Sequence, residues 1–180
     1  MRYRVIMIAA TMGLSGCAVA PAPQDRAVDA AAFAASQAGF RSDTLSPALQ
    51  YCIRQQGGFG MNLAILTNAG FAASNSATMT KPIEGNIGNP PARGSAFVVS
   101  VNGCTIRTNG FSIGRSDLNE AIAQDMTALG FSPTPSQDNG RLGLPPAAQG
   151  FRSADRVLGV VASASAAAGV PFVTIAIAAP

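Results

Sequence analysis

The sequence predicts an α+β domain: small helices packed on an antiparallel β-hairpin, about 96–101 and 104–109, with a third strand near 172–178. Three observations carry that expectation. Asn102-Gly103 stands between two strand-like runs, Ala96–Val101 and Cys104–Thr108, and Asn-Gly suits a two-residue type I′ hairpin turn. Ser46-Pro47 precedes apolar residues at helical spacing, and Gly57-Gly58 follows them, which marks a helix start and stop. The 180 residues are 48% hydrophobic and only 12% charged, enough apolar material for one core and too little charge for a disordered chain. The expected division is a leader over 1–16, a tether over 17–25 and a single domain over 26–180.

The leader begins Met1-Arg2-Tyr3-Arg4, continues as an apolar run from Val5 to Leu14, and ends Leu14-Ser15-Gly16-Cys17. A short basic region, a brief apolar stretch and small residues before a cut site mark a secretory signal peptide. The run is shorter than the about 20 residues needed to cross a ~30 Å hydrocarbon core. Leu14-Ser15-Gly16-Cys17 resembles the lipobox of bacterial lipoproteins, in position, spacing and residue types. The resemblance is confined to residues 1–17. It implies a diacylglycerol on the Cys17 sulfur, cleavage just before Cys17, and acylation of the new amino terminus. Each buried acyl CH₂ contributes ~0.8 kcal/mol, so two or three chains make a durable anchor. Ala18 stands where Asp would mark inner-membrane retention, which implies an outer-membrane lipoprotein facing the periplasm. Processing removes Arg2 and Arg4, leaving ten of the 12 basic side chains against nine acidic ones. A chain so near neutrality carries no nucleic-acid footprint.

Residues 18–25 read as an extended, Pro-bearing tether, and Arg26–Ala38 as an Ala-rich helix ending at Gly39-Phe40. In the next helix Ser46 is the expected N-cap and Pro47 the first helical residue. Leu49, Cys52, Ile53 and Gln56 then recur at helical spacing, which puts Cys52 on the inward stripe. Six of the nine Phe residues directly follow a Gly: Phe40, Phe59, Phe71, Phe111, Phe131 and Phe151. At helix ends, Gly takes the left-handed C′ position and the next apolar residue folds back on the last turn. Gly39, Gly70 and Gly130 are assigned that role; an aromatic ligand surface built from Gly-Phe loops is the alternative. Phe59–Ala69 reads as a helix stopped by Gly70-Phe71, with a buried strand at Asn62–Thr67 as the other reading.

Ala73–Gly94, with Lys81, Glu84 and Pro90-Pro91, and Ser132–Gly150, with Pro133, Pro135 and Pro145-Pro146, read as long loops, 73–94 and 132–150. Structureless connections of that length are uncommon in compact domains, and their Gly, Pro and Asn content points to mobile segments rather than binding loops. A two-residue turn at Asn102-Gly103 sets Val101 opposite Cys104, Val99 opposite Ile106 and Phe97 opposite Thr108, all on one face. Cys104 then shares the apolar side of the hairpin, where a helix carrying Cys52 would lie. With Cys17 acylated, Cys52 and Cys104 are expected to form a disulfide in an oxidising compartment. Two buried free thiols or an intermolecular bridge are the alternatives. Asp117–Leu129 reads as a helix capped by Ser116 or Asp117, with Glu120 in a capping box and Leu118, Ile122, Met126 and Leu129 in one stripe. Asp117, Glu120 and Asp125 are then capping or solvent-facing carboxylates rather than a catalytic pair.

No charged residue occurs from Val157 to Pro180. One reading embeds 157–179 in a membrane. The other places a helix from Ser153 to about Ala168, stopped by Gly169 and Pro171, and then a strand at Phe172–Ile177 beside the hairpin. The punctuation favours the second.

The sequence contains no His, which removes the commonest general base and metal ligand. Without one, Cys52 and Cys104 have no base to activate them as nucleophiles. Gly57-Gly58-Phe59-Gly60 lacks the strand and third glycine of a dinucleotide loop. Thr78-Met79-Thr80-Lys81 has Thr where a Ser-x-x-Lys motif needs Ser. No catalytic residue, cofactor or metal ligand is therefore assigned. The expected role is non-catalytic: a lipoprotein held to the membrane through Cys17 that binds an envelope protein or the cell wall. A small cell-wall hydrolase using Ser, Lys, Asp or Glu is the alternative class.

Overall fold

The first helix begins inside the expected tether and does not stop where the sequence suggested. α1 spans Pro23–Phe40, passes into a π-turn at Arg41–Leu45, and continues as α2, Ser46–Gln56. The computed structural model describes residues 23–86, 93–101, 103–167 and 169–180. The expected leader over 1–16, Cys17 and residues 18–22 of the expected tether, Pro90-Pro91 and Asn102 lie outside the described residues.

Gly39 is helical, not a left-handed cap, because Phe40 reaches the core without a chain reversal, stacking on Phe111 with ring centroids 3.9 Å apart. Pro47 explains the π-turn's position. It has no N–H for the carbonyl four residues back, that of Asp43, and its ring crowds that carbonyl in a regular α-turn. The wider turn falls on this stretch, and the freed Asp43 carbonyl accepts a hydrogen bond from Lys81 Nζ at 2.6 Å. Ser46 is accordingly not an N-cap; its hydroxyl donates to Asp125 Oδ1 at 2.5 Å.

The expected Phe59–Ala69 helix shrinks to α3, Ala64–Asn68. Gly60, at φ +83°, breaks the run behind Phe59, and Phe59 and Leu63 are 56% and 50% exposed. The Gly-Phe stop at the other end forms as expected. Phe71 N–H donates to Leu66 O and Gly70 N–H to Thr67 O, both at 3.0 Å, with Gly70 at φ +85°. The same pair of bonds closes α4 (Arg115–Ala128), from Phe131 to Met126 and from Gly130 to Thr127. α4 starts without a side-chain cap, Gly114 being its N-cap, so neither Ser116 nor Asp117 has the expected role. Asp125 is buried rather than solvent-facing.

The strands are β1 Ala72–Asn75, β2 Thr78–Glu84, β3 Arg93–Val99, β4 Cys104–Asn109, β5 Ser132–Pro133, β6 Gln149–Arg152, β7 Val157–Ala167 and β8 Val170–Ala178. They form one eight-stranded antiparallel sheet in the order β1-β2-β3-β4-β8-β7-β6-β5. The fold is α+β. Two expectations fail here. The described part of 73–94 is not a loop but holds most of β1, all of β2 and the start of β3, and the helix expected from Ser153 is strand β7, whereas 132–150 is largely a connection between β5 and β6 with one 3-10 turn at Ser136–Asp138. In β2, Met79, Lys81 and Ile83 alternate inward, and the cross-strand partners on β3 make the pattern a strand.

The hairpin forms in a different register. Val98 faces Ile106, Phe97 faces Arg107 and Ala96 faces Thr108, one residue away from the two-residue-turn register. Ser100 N–H is drawn to Ala77 O on the neighbouring β1–β2 turn, so the connection is longer than two residues. A one-residue slip exchanges the faces. Ala96 and Val98, rather than Phe97 and Val99, share the buried side with Cys104 and Ile106.

That side is the core. α2 packs on β4 and β8, α4 packs on β7, and the two helices meet. Between them lie Leu49, Ile53, Ile106, Ile122, Leu158 and Ile175, all essentially inaccessible. Cys52 on α2 and Cys104 on β4 are joined by a disulfide with Cα atoms 5.3 Å apart, 52 residues apart in sequence. Closing a loop of that size contributes ~4 kcal/mol on the chain-entropy model. On the reverse face, the β6–β7 end is covered. Leu144 and Ala148 of the 134–148 segment lie over Gly159, where an added Cβ would come within 2.8 Å of Leu144.

Candidate functional site

The π-turn, the second half of α1 and the end of β2 enclose a cleft of about 910 Å³. Its apolar floor is the stacked pair Phe40–Phe111 with Ile83, and Phe33 stands at the rim, 44% exposed. Lys81 forms one wall. Its ammonium is fixed by the Asp43 carbonyl and lies 5.9 Å from the Phe71 ring centroid. Asn86 closes the far side by clamping Ser112: its Nδ2 donates to Ser112 O at 2.8 Å, and Ser112 N–H donates to its Oδ1 at 2.7 Å. The arrangement offers an apolar slot with one cation, two carboxylates (Asp43 and Glu84) and an amide around it. Such a lining suits binding of an apolar group with a polar end.

The sequence-derived residues divide as follows. Cys52 and Cys104 are together, buried and bonded to each other. Cys17 lies outside the described residues. Thr78 and Lys81 fall on opposite faces of β2, so the Thr78–Lys81 motif brings no hydroxyl to an amine. Asp117, Glu120 and Asp125 do not converge. Glu120 accepts from Gln124 at 2.7 Å, whereas Asp125 accepts from Ser46 and, at 3.4 Å, from Gln50, tying α4 to α2. Gly57-Gly58 ends α2 and leads into a loop, not a phosphate-binding turn. Of the six Gly-Phe aromatics, Phe40, Phe71, Phe111, Phe131 and Phe151 are core, and only Phe59 is exposed. Phe40 and Phe111 share the floor of the cleft, whereas Phe59, Phe71, Phe131 and Phe151 do not line it. Among the described residues no group of three or more His, Cys, Asp or Glu is placed to hold a metal ion.

Sequence reasoning missed the Lys81–Asp43 contact, although Pro47 signals a freed carbonyl four residues upstream. It also missed the exposed trio Phe59, Met61 and Leu63, which are 56%, 67% and 50% accessible around Gly60. No family model, curated protein or solved structure matches this chain.

Proposed function

We propose that this chain is a lipid-anchored envelope lipoprotein, held through Cys17 in the outer membrane and facing the periplasm, whose domain binds or scaffolds another envelope component without catalysing a reaction. The observation that carries the reading is the lipobox-like Leu14-Ser15-Gly16-Cys17 behind a basic, then apolar, leader. The buried Cys52–Cys104 bond supports it, because such bonds persist in exported proteins and are rare in a reducing cytosol. In this reading the β3–β4 hairpin with β8 is the platform for the small helices, and the cleft beside the π-turn is the binding surface. Its lining sets Lys81, Asp43 and Glu84 around an apolar floor, a combination that suits recognition of an apolar group with a polar end.

The test is metabolic labelling with an alkyne palmitate analogue in the native host. Label on the full chain, lost in Cys17→Ser, together with a mature mass that lacks residues 1–16, is the expected result. An unlabelled chain with its leader uncut would overturn anchoring and compartment together.

A further inference from the structure

Both ends of the sheet are blunted against further pairing. β1 is four residues long and carries a register shift between Ala73 and Asn75, and β5 is two residues long with Pro133 as one of them. Short, bulged and Pro-bearing edges are how sheets avoid adding strands. β7 is treated differently. β6 covers it only from Val157 to Val160, because β6 begins at Gln149, opposite Val160. From Val161 to Ala167, β7 pairs with β8 on one side and with no strand among the described residues on the other. This free edge carries no charge and no Pro, and every residue in it but the partly buried Ala162 is exposed.

An antiparallel strand added there would find unpaired backbone groups along seven residues. The sequence of the edge says which strand. Ala162-Ser163-Ala164-Ser165-Ala166 reads the same in both directions, and its centre, Ala164, is also the centre of the free stretch 161–167. A two-fold contact requires each residue to meet its mirror position on the other copy. Pairing about Ala164 sets Ala162 against Ala166 of the second copy, and Ser163 against its Ser165, with Ala164 against itself. Ser then meets Ser on one face and Ala meets Ala on the other, with no like charges opposed. It is also the one antiparallel register that uses the whole free stretch and stops short of Gln149.

We propose that the β7 edge pairs with the β7 edge of a second copy of this chain, about a two-fold axis at Ala164, joining two sheets into one. Seven small residues make an interface well below the ~1,600 Å² of a standard complex, so the pair forms where copies are concentrated. A shared membrane surface supplies that condition. This last point rests on the anchored reading; the register does not.

The test uses variants of the full chain that each carry one added cysteine, with Cys17, Cys52 and Cys104 kept, oxidised both in native membranes and as concentrated purified protein. Directly opposed strand residues have Cα atoms about 4.5–5.5 Å apart, within disulfide reach. Ala164→Cys is expected to give a reducible band of twice the chain mass. Ala162→Cys alone, offset by four residues from its own copy, is expected to give at least tenfold less, and an equal mixture of Ala162→Cys with Ala166→Cys to restore it. Ser163→Lys, which charges the edge, should abolish dimer in sedimentation of the concentrated protein while its melting temperature is unchanged. Three results would overturn the proposal: no Ala164→Cys dimer in either preparation, equal crosslinking at 162 and 164, or a crosslink to a protein of different mass. The last would mean that the edge receives a foreign strand. Membrane fractionation of the same samples reads the anchor separately, so a failure of anchoring is distinguishable from a failure of pairing.

Discussion

Asp125 is 7% exposed, and its Oδ1 collects donors from Ser46 and Gln50 across the α2–α4 contact. Removing one partner of a buried polar contact strands the others, and the usual cost is ~1–3 kcal/mol. Asp125→Ala is therefore expected to lower the urea midpoint without changing the slope of the transition; an unmoved midpoint would mean that the contact contributes nothing. Cys52 and Cys104 act through the unfolded chain instead, by closing a loop across 52 positions. A non-reduced tryptic digest should contain the Cys52–Cys104 peptide pair. Replacing both by Ser should cost about 2–5 kcal/mol relative to the oxidised protein. The cysteine pair was legible in the sequence because each residue sat on an apolar face whose direction a period reveals. Asp125 was misread because a carboxylate suggests solvent, although it stands seven residues after Leu118 and three after Ile122, on α4's inward stripe; the approach of α2, with Ser46 turned toward it, supplies the partner that lets the carboxylate lie there. The Lys81–Asp43 contact has the same origin, since its acceptor exists because of Pro47 and its donor arrives from a strand.

At the level of elements, β7 was the hardest to read. Val157–Ala167 is rich in Ala, a strong helix former, and the alternation of Ala with Ser over 162–166 sets only a weakly apolar face against a weakly polar one. What makes it a strand is pairing with β8 over nine residue pairs, from Gly159–Ala178 to Ala167–Val170, a fact of tertiary structure rather than of local propensity. Phe172–Ile177 was legible as a strand beside the hairpin because its β-branched residues are flanked by Pro171 and an Ala-Pro end. The hairpin itself was legible but its register was not. Asn102-Gly103 fixes a turn, whereas the neighbouring Ser100–Ala77 bond determines how long the connection is. β8 lies between β4 and β7, so without it the sheet falls into two halves and Val173, Ile175 and Ile177 leave the core. A chain ending at Gly169 is accordingly expected to lose its single sharp thermal transition, read by circular dichroism. A shortened chain that still melts in one step at the original temperature would contradict this placement.

For the molecule as a whole, the proposed anchoring raises the question of what would hold it at a membrane. No helix among the described residues is long and apolar enough to cross one. The uncharged stretch after Val157 is spent on two strands of the sheet, with Leu158, Val160, Val173, Ile175 and Ile177 turned into the core rather than toward lipid. The exposed trio Phe59, Met61 and Leu63 is too small a surface to retain a domain, since an isolated apolar loop offers a few side chains where a lipid offers tens of methylenes. The proposed attachment therefore resides in the acyl chains alone. That makes a sharp expectation for Cys17→Ser with the leader kept. The sulfur that carries the lipid is gone, the rest of the export signal is intact, and the domain with its disulfide should appear in the soluble periplasmic fraction after osmotic shock. Salt or alkaline washing of the unaltered protein would not discriminate, because a lipid anchor resists both. Retention of Cys17→Ser in the membrane pellet, with the leader cut by mass and Cys52–Cys104 oxidised, so that the chain is exported and folded, would show that a surface of the domain itself holds the bilayer or a membrane partner.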